Sequence, residues 1–519
     1  VLDGAELPVA YHVLYRSDTP GWGEVLPFGG GAPLEPGCDE PDFNSLLPLD
    51  GGRAALVTHF ECVPGSTWVS ALDQAADGAL TVTSAAPVNW DALGGVWFPC
   101  SGQASPWGTH LGSEEYEPDA RGHQADGTLS VDPYGAWTGL LTLYAADPTA
   151  ANPYRYGWAT EIGVDRATAA STPHKRYALG RFSHELSFVL PDQRTVYQSD
   201  DGSAVGWFLF VADAAGDLTS GALYAARFGP GAAVGWVPLG RATEAEVDGW
   251  IALRPRFSEL FDAVTPDAAH TCPADYRYVH TSNGRECLKL AAPSDRFPEP
   301  GRVASRLETR RYAAWLGAST ELEKAEGVTY DPATGRVYLA VSTVAGRAVA
   351  EPGEPVDHLA LPPNRCGVVL GFDTAARLLD TEGHEIPSDH VGAGFTEVLA
   401  GTPAGESACD DAGIANPDNL TFLPDYQLLM VAEDTKRHEH AFLWAYDVRT
   451  GVGARIAAAP PHGEVTGIHW IPHLGGFGYL TLTFQHPWAE LAPGQVTPPW
   501  VTPDDQRAFT GFLGPFPLR

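Results

Sequence analysis

One arrangement of apolar and polar positions recurs along the chain. An acidic or amide residue leads into a short run in which apolar and polar residues alternate. A turn of Pro, Asp or Gly follows, and then a second alternating run. It runs from Glu185 through LSFVLPDQRTVYQ to Ser199, Asp200 and Asp201, and from Glu326 through GVTYDPATGRVYLAV. It returns from Asp418 and Asn419 through LTFLPDYQLLMVA to Glu433 and Asp434, and from Glu464 through VTGIHWIPHLGGFGYLTLTF to Gln485 and His486. A looser copy begins at Asn44, passes through SLLPLDGGRAALVT and ends at His59 and Glu61. Alternation with a period of two around a tight turn predicts a β-hairpin in each case.

The starts at 326, 418 and 464 are separated by 92 and 46 residues, and one propeller blade takes ~40–50 residues. The earlier intervals, 44 to 185 and 185 to 326, are both 141 residues and must hold further blades plus insertions. At one blade per 46 residues the chain would carry about eleven, more than the roughly four to eight of ordinary propellers. The expectation is therefore an all-β chain, one propeller domain over residues 1–519, with insertions mainly in the first ~320 residues. A hairpin brings its entering and leaving residues to the same end. Radially arranged hairpins would gather these acids at one face of a central channel, where a metal or catalytic site is expected.

Composition narrows the partners. The 57 Gly and 44 Pro suit many short strands and turns, and the 44% hydrophobic residues suffice for a large core. The net charge of −33 argues against nucleic acid or an anionic membrane as the main partner, and some of the carboxylates are candidates for hard-cation ligands. No apolar run approaches the roughly 18 residues of a membrane span; stretches such as Val205 to Ala212 are strand-sized. The chain begins at Val1 with no basic-then-apolar leader, the pattern expected after signal-peptide removal. Of seven cysteines, Cys38/Cys62, Cys272/Cys287 and Cys366/Cys409 would make three local bridges and leave Cys100 over; seven ordinary buried thiols are the alternative.

Residues 98–115 read FPCSGQASPWGTHLGSEE, containing Cys100, Pro106-Trp107-Gly108-Thr109-His110 and the pair Glu114-Glu115. This segment resembles the PhoX alkaline phosphatase family, with its cysteine, Gly-containing turn, T/S-P-W-G-T-W motif and paired glutamates. The resemblance continues in order through His184-Glu185, Asp200-Asp201, Glu326-Gly327, Pro417-Asp418-Asn419, Glu433-Asp434, Glu464 to Gly467 and Gln485-His486-Pro487. It implies a six-bladed β-propeller with a metal site on its axis, binding two ferric ions, three calcium ions and a bridging oxo group. Cys100 would be a thiolate ligand, with Glu115, Glu185, Asp201, Glu326 and Asp418 as carboxylate ligands and Asn419, Glu114 and Asp200 as further candidates. Lys324, where the family usually has arginine, and His486 would face the phosphate as catalytic residues. Ser113 stands where the family has cysteine, and His110 where it has its second tryptophan.

The activity so implied is that of a periplasmic or secreted phosphatase acting on small phosphate esters. The alternative is a non-catalytic metal-binding propeller serving as a subunit of a cell-envelope assembly. Loss of Cys100, Glu185 or Glu326 would favour the alternative, and all three are present. No P-loop, H-E-x-x-H, G-x-S-x-G or complete dinucleotide fingerprint occurs. His438-Glu439-His440 lies among charges that suggest a loop, Gly229 to Gly235 suggests a turn, and the Asn419-Leu420-Thr421 sequon overlaps the proposed metal motif.

Overall fold

The computed structural model describes residues 10–17, 19–26, 32–33, 38–132, 135–144, 149, 151–489, 491 and 495–517. Both ends of the expected single domain, residues 1–9 and 518–519, lie outside them, as does Val1.

Six antiparallel blades surround one axis. The first is Pro41–Pro48, Arg53–Phe60, Ser66–Gln74 and Leu80–Pro87, and the second is Gln103–Ala104, His110–Gly112, Thr160–Val164 and Ser171–Lys175. The third is His184–Val189, Thr195–Asp200, Trp207–Ala214 and Asp217–Gly229, extended outward by Ala233–Thr243. The fourth is Ala325–Asp331, Arg336–Val341, Val368–Ala375 and Val391–Ala400; the fifth is Pro417–Leu423, Leu428–Glu433, Phe442–Asp447 and Val452–Ala458. The sixth combines Glu464–Leu474, Phe477–Gln485 and Phe509–Pro517 with the early strand Tyr11–Arg16. Closing the last blade with that strand joins the two ends of the ring through backbone hydrogen bonds. The third and fourth blades also meet at their rims, where Ala233 pairs with Gly394.

Period-two alternation holds the ring together because each strand sends successive apolar side chains into different inter-blade cores. Leu46 packs toward the sixth blade and Leu47 toward the second. Val196 faces the second blade and Tyr197 the fourth, and Leu339 and Tyr338 divide likewise between the third and fifth. Inner strands, flanked on both faces, are buried almost throughout, whereas the outermost strand of the fifth blade is largely exposed.

Two long segments lie between strands of the ring. Residues 113–159 interrupt the second blade and include the helix Ala136–Tyr144. Residues 244–324 separate the third and fourth blades and carry the helices Glu244–Ala252, Pro300–Leu307 and Thr309–Leu316 with a three-stranded sheet. This second insertion is pinned by buried arginines: Arg310 pairs with Asp200 and Glu117, and Arg311 with Glu286, Asp119 and Glu308. Disulfides join Cys38 to Cys62, Cys272 to Cys287 and Cys366 to Cys409, and Cys100 is free. Among the described residues no helix is long and apolar enough to cross a membrane.

Candidate metal centre

The same backbone irregularity begins four inner strands. Pairing steps from Pro41↔Phe60 to Asn44↔Thr58, from His184↔Asp200 to Ser187↔Gln198, from Ala325↔Val341 to Val328↔Leu339, and from Pro417↔Glu433 to Leu420↔Val431. In each, the first strand uses one more residue than its partner. The bulge so formed contains Asp42, Glu185, Glu326 or Asp418. A β-bulge bends its strand and re-aims a side chain, so four blades present an acid to the axis by one device. Glu61, Asp201 and Asp434 stand just past the second strands of the same hairpins, and Glu464 begins the inner strand of the sixth blade.

The result is a continuous run of donors. Asp42, Glu61 and Cys100 form one group whose ligand atoms lie within 4.8 Å of each other; Cys100, Glu115 and Glu185 form the next. Glu185, Glu326 and Asp418, then Asp418, Asp434 and Glu464, extend it across the axis. Shared members link all four groups into eight carboxylates and one thiol. Cys100 Sγ is 3.3 Å from Glu185 Oε2, and the Tyr116 hydroxyl donates to Asp201 Oδ2 at 3.0 Å beside Glu115.

So many acids in one enclosure oppose each other's ionisation. Burial first, and the neighbouring carboxylates second, push Glu61, Glu115 and Glu185 well above the usual carboxylate range. Glu326 and Glu464 are raised in the same way, and Asp418 is pushed up to about 7. The Cys100 thiol is raised by the same two causes. Lys324 reaches in with Nζ 3.2 Å from Glu326 Oε1 and 3.8 Å from Asp434 Oδ2. His486 lies at the edge, with Nδ1 3.7 Å from Glu40 Oε1, and burial raises the Asp42 carboxyl above its usual range.

The backbone before the acids is strained in a repeating way. Lys324, Asn416 and His462 each stand two residues ahead of an axial acid and take φ values of 51°, 45° and 53°. Left-handed conformations of non-glycine residues are costly and concentrate at functional sites.

Four candidate ligands lie outside these groups: Asp201, which stands beside Glu115, and Glu114, Asp200 and Asn419, which serve other contacts. Glu114 points away from Glu115: its carboxylate pairs with Lys175 at 2.7 Å, both side chains fully enclosed, and accepts from the Trp97, Gly157 and Trp158 amides. Asp200 is held by Arg310 and by the Gly206 amide. Asn419 accepts from the Gly467 amide at 2.8 Å and donates to Asp418 Oδ1 at 3.0 Å, tying the fifth blade to the sixth. Glu114 and Glu115, like Asp200 and Asp201, thus divide between a supporting ion pair and the axial side. Conversely, the axis includes Asp42, Glu61, Asp434 and Glu464, which the motif comparison did not single out as ligands. Pro41-Asp42 repeats the Pro417-Asp418 start, and that was the signal available for Asp42. His438-Glu439-His440 forms no ligand group: His438 pairs with Glu433 at 3.1 Å, and His440 bonds the Ala459 carbonyl.

The donor chemistry fits bound cations. Asp42 Oδ2 and Asp201 Oδ1 are buried without a hydrogen-bond partner, and a buried charge left unpaired costs several kcal/mol. Eight carboxylates and one thiol against one lysine need further positive charge. A six-bladed propeller with such an axial polycarboxylate–thiol centre has the architecture of a metal-binding propeller.

The sequence profile described as "Alkaline phosphatase PhoX" matches residues 70–487. The chain belongs to the PhoX alkaline phosphatase family, a family of metalloenzymes, and is a phosphoric ester hydrolase. Among solved structures it is similar to Pseudomonas fluorescens PhoX in complex with vanadate, a transition state analogue. That match has a TM-score of 0.62 at 20% identity and covers 97% of this chain and 94% of the other, which establishes the shared fold. A Dyadobacter fermentans protein of unknown function matches with a TM-score of 0.35 at 10% identity, covering 98% of this chain and 99% of that one. A Trypanosoma rangeli sialidase reaches 0.36 at 10% identity, covering 97% and 58%. At those scores neither likeness carries an argument. No curated protein matches the sequence significantly.

Proposed function

We propose that this chain is an exported phosphatase that hydrolyses small phosphate esters, phosphomonoesters foremost, at an iron–calcium centre on the propeller axis. The observation that carries the reading is the unbroken run of axial donors containing one thiol and carboxylate oxygens that no protein group satisfies. In the proposal Cys100, Glu115, Glu185, Asp201, Glu326 and Asp418 hold the metals, joined by Asp42, Glu61, Asp434 and Glu464. Soft sulfur suits iron and hard oxygens suit calcium. When bound, such ions neutralise phosphoryl oxygens and activate the attacking oxygen.

The remaining chemistry falls to the side chains. Lys324 is about two-fifths exposed while its ammonium stays beside Glu326, so it can donate hydrogen bonds to a phosphoryl group entering from the open face. Its charge is secured because Glu326 and Asp201 hold its pKa well above the ordinary lysine value. His486 supplies a second polar group at the rim, and the Tyr116 hydroxyl orients Asp201. Export agrees with three disulfides, which persist in oxidising compartments.

The test is hydrolysis of p-nitrophenyl phosphate and bis(p-nitrophenyl) phosphate at alkaline pH by protein purified without chelator. Monoester turnover that chelation abolishes and added calcium restores supports the proposal. Preferential turnover of the diester, or turnover indifferent to chelation, overturns the corresponding part.

A further inference from the structure

Cys100 differs from the axial acids in how its backbone is held. The acids of the inner hairpins sit in or beside hydrogen-bonded ladders, whereas Cys100 lies in the irregular segment 95–102. Something outside a ladder must fix its main chain. Two fully enclosed histidines do so.

His59 lies in the second strand of the first blade, and His110 opens the short strand His110–Gly112 of the second. Their Nε2 atoms are 2.6 Å apart, His110 Nδ1 is 2.8 Å from Ser45 Oγ, and His59 Nδ1 is 2.5 Å from the carbonyl oxygen of Cys100. Gly112 makes the room, since a Cβ there would collide with the His59 ring.

These distances fix the hydrogens. A carbonyl oxygen only accepts, so His59 Nδ1 carries a hydrogen. Both rings are fully enclosed and neither touches a carboxylate that would hold a second proton, so each carries one hydrogen. His59 Nε2 is then bare and accepts from His110 Nε2–H, which leaves His110 Nδ1 to accept from the Ser45 hydroxyl.

We propose that Ser45, His110 and His59 form a one-way hydrogen-bonded brace that fixes the Cys100 carbonyl and thereby aims the Cys100 thiol at Asp42, Glu61, Glu115 and Glu185. They are positioning residues, acting through Cys100. The brace is a property of this chain: a tryptophan at position 110, which the resemblance leads one to expect, could donate but not accept. Its purpose rests on the reading of Cys100 as a metal ligand.

Two readouts test it. Long-range proton–nitrogen correlation spectra of the full, metal-loaded chain labelled on histidine nitrogen, assigned through His59→Gln and His110→Gln, should show His59 as the Nδ1–H tautomer and His110 as the Nε2–H tautomer. The reverse tautomers, or a charged ring at pH 7.5, overturn the brace (~7.5 being above the ordinary histidine pKa of about 6.5). Second, His110→Leu should lose metal to a competing chelator several-fold faster than wild type and lower kcat with KM little changed. His110→Gln, whose amide can both donate and accept, should recover most of both. Metal retention in His110→Leu equal to wild type overturns the proposal. Where His110→Leu does not fold, the wild-type tautomers decide alone. Failure of the phosphatase reading is separate, because the tautomers are measured without turnover.

Discussion

Lys324 Nζ lies 3.2 Å from Glu326 Oε1, across a single intervening residue, closer than the ~6.6 Å that a regular strand sets between alternate residues. The positive φ of Lys324 and the bulge at Glu326 turn both side chains toward the axis. In the proposed function the pair would combine a metal-facing acid with a cation about two-fifths exposed.

Removing that cation should injure turnover more than metal binding. Lys324→Ala is expected to lower kcat/KM by roughly 10²–10³-fold, the usual cost of losing one transition-state donor, with bound metal unchanged. Lys324→Arg should keep most of the activity, since a guanidinium keeps the charge and presents its donors as a planar fork suited to phosphate. Steady-state kinetics with elemental analysis of the same samples checks both; loss of metal from Lys324→Ala would show that the lysine serves the centre instead.

Adjacent glutamates should fail in different ways. Glu114→Ala leaves Lys175 buried and unpaired, which is expected to cost about 3–5 kcal/mol in denaturant unfolding while the folded fraction keeps its metal. Glu115→Ala is expected to remove metal with a smaller loss of stability, because it relieves repulsion among the axial acids.

A pH effect should appear away from the axis. Burial by itself lowers the His438 imidazole, but the Glu433 carboxylate outweighs it and the net shift is upward. Glu433 also anchors Ala415, Phe442 and the Trp444 indole. A raised folded-state value means this pair stabilises fully below the unfolded histidine pKa of about 6.5 and loses that contribution as pH climbs through the folded value. Thermal unfolding between pH ~6 and ~9 should show wild type losing stability relative to His438→Gln; parallel curves would remove the pair from the account.

Chelation should destabilise the whole ring. The axial acids come from all six blades' hairpins and loops, so uncompensated repulsion pushes every blade outward. The melting temperature should fall on prolonged chelation and rise with added calcium in a concentration-dependent way. An unchanged melting temperature would mean the centre is stable as a protonated, metal-free cluster.

Much of this architecture was readable from period-two patterning. The hairpins beginning at Glu185, Glu326, Asp418 and Glu464 were recognisable because their strands feed two inter-blade cores and must therefore alternate. The second blade was not, since Gln103–Ala104 and His110–Gly112 are too short to show a period. Candidate ligands were harder than strands. Glu114 and Glu115, or Asp200 and Asp201, are equivalent in a sequence, and only the folded backbone decides which one faces the axis. Asp42 was hidden because its hairpin seemed to begin at Asn44, the bulge having displaced the alternation by one residue.

Glu185 belongs to two of the axial groups, with Cys100 and Glu115 on one side and Glu326 and Asp418 on the other. The central claim, that these donors form one continuous metal centre, is tested most directly by metal content per chain in wild type and Glu185→Ala, both purified without chelator. Wild type should carry several ions per chain, iron and calcium among them, and the variant should lose more than one. Wild-type protein free of metal, or a variant with unchanged content, would contradict it.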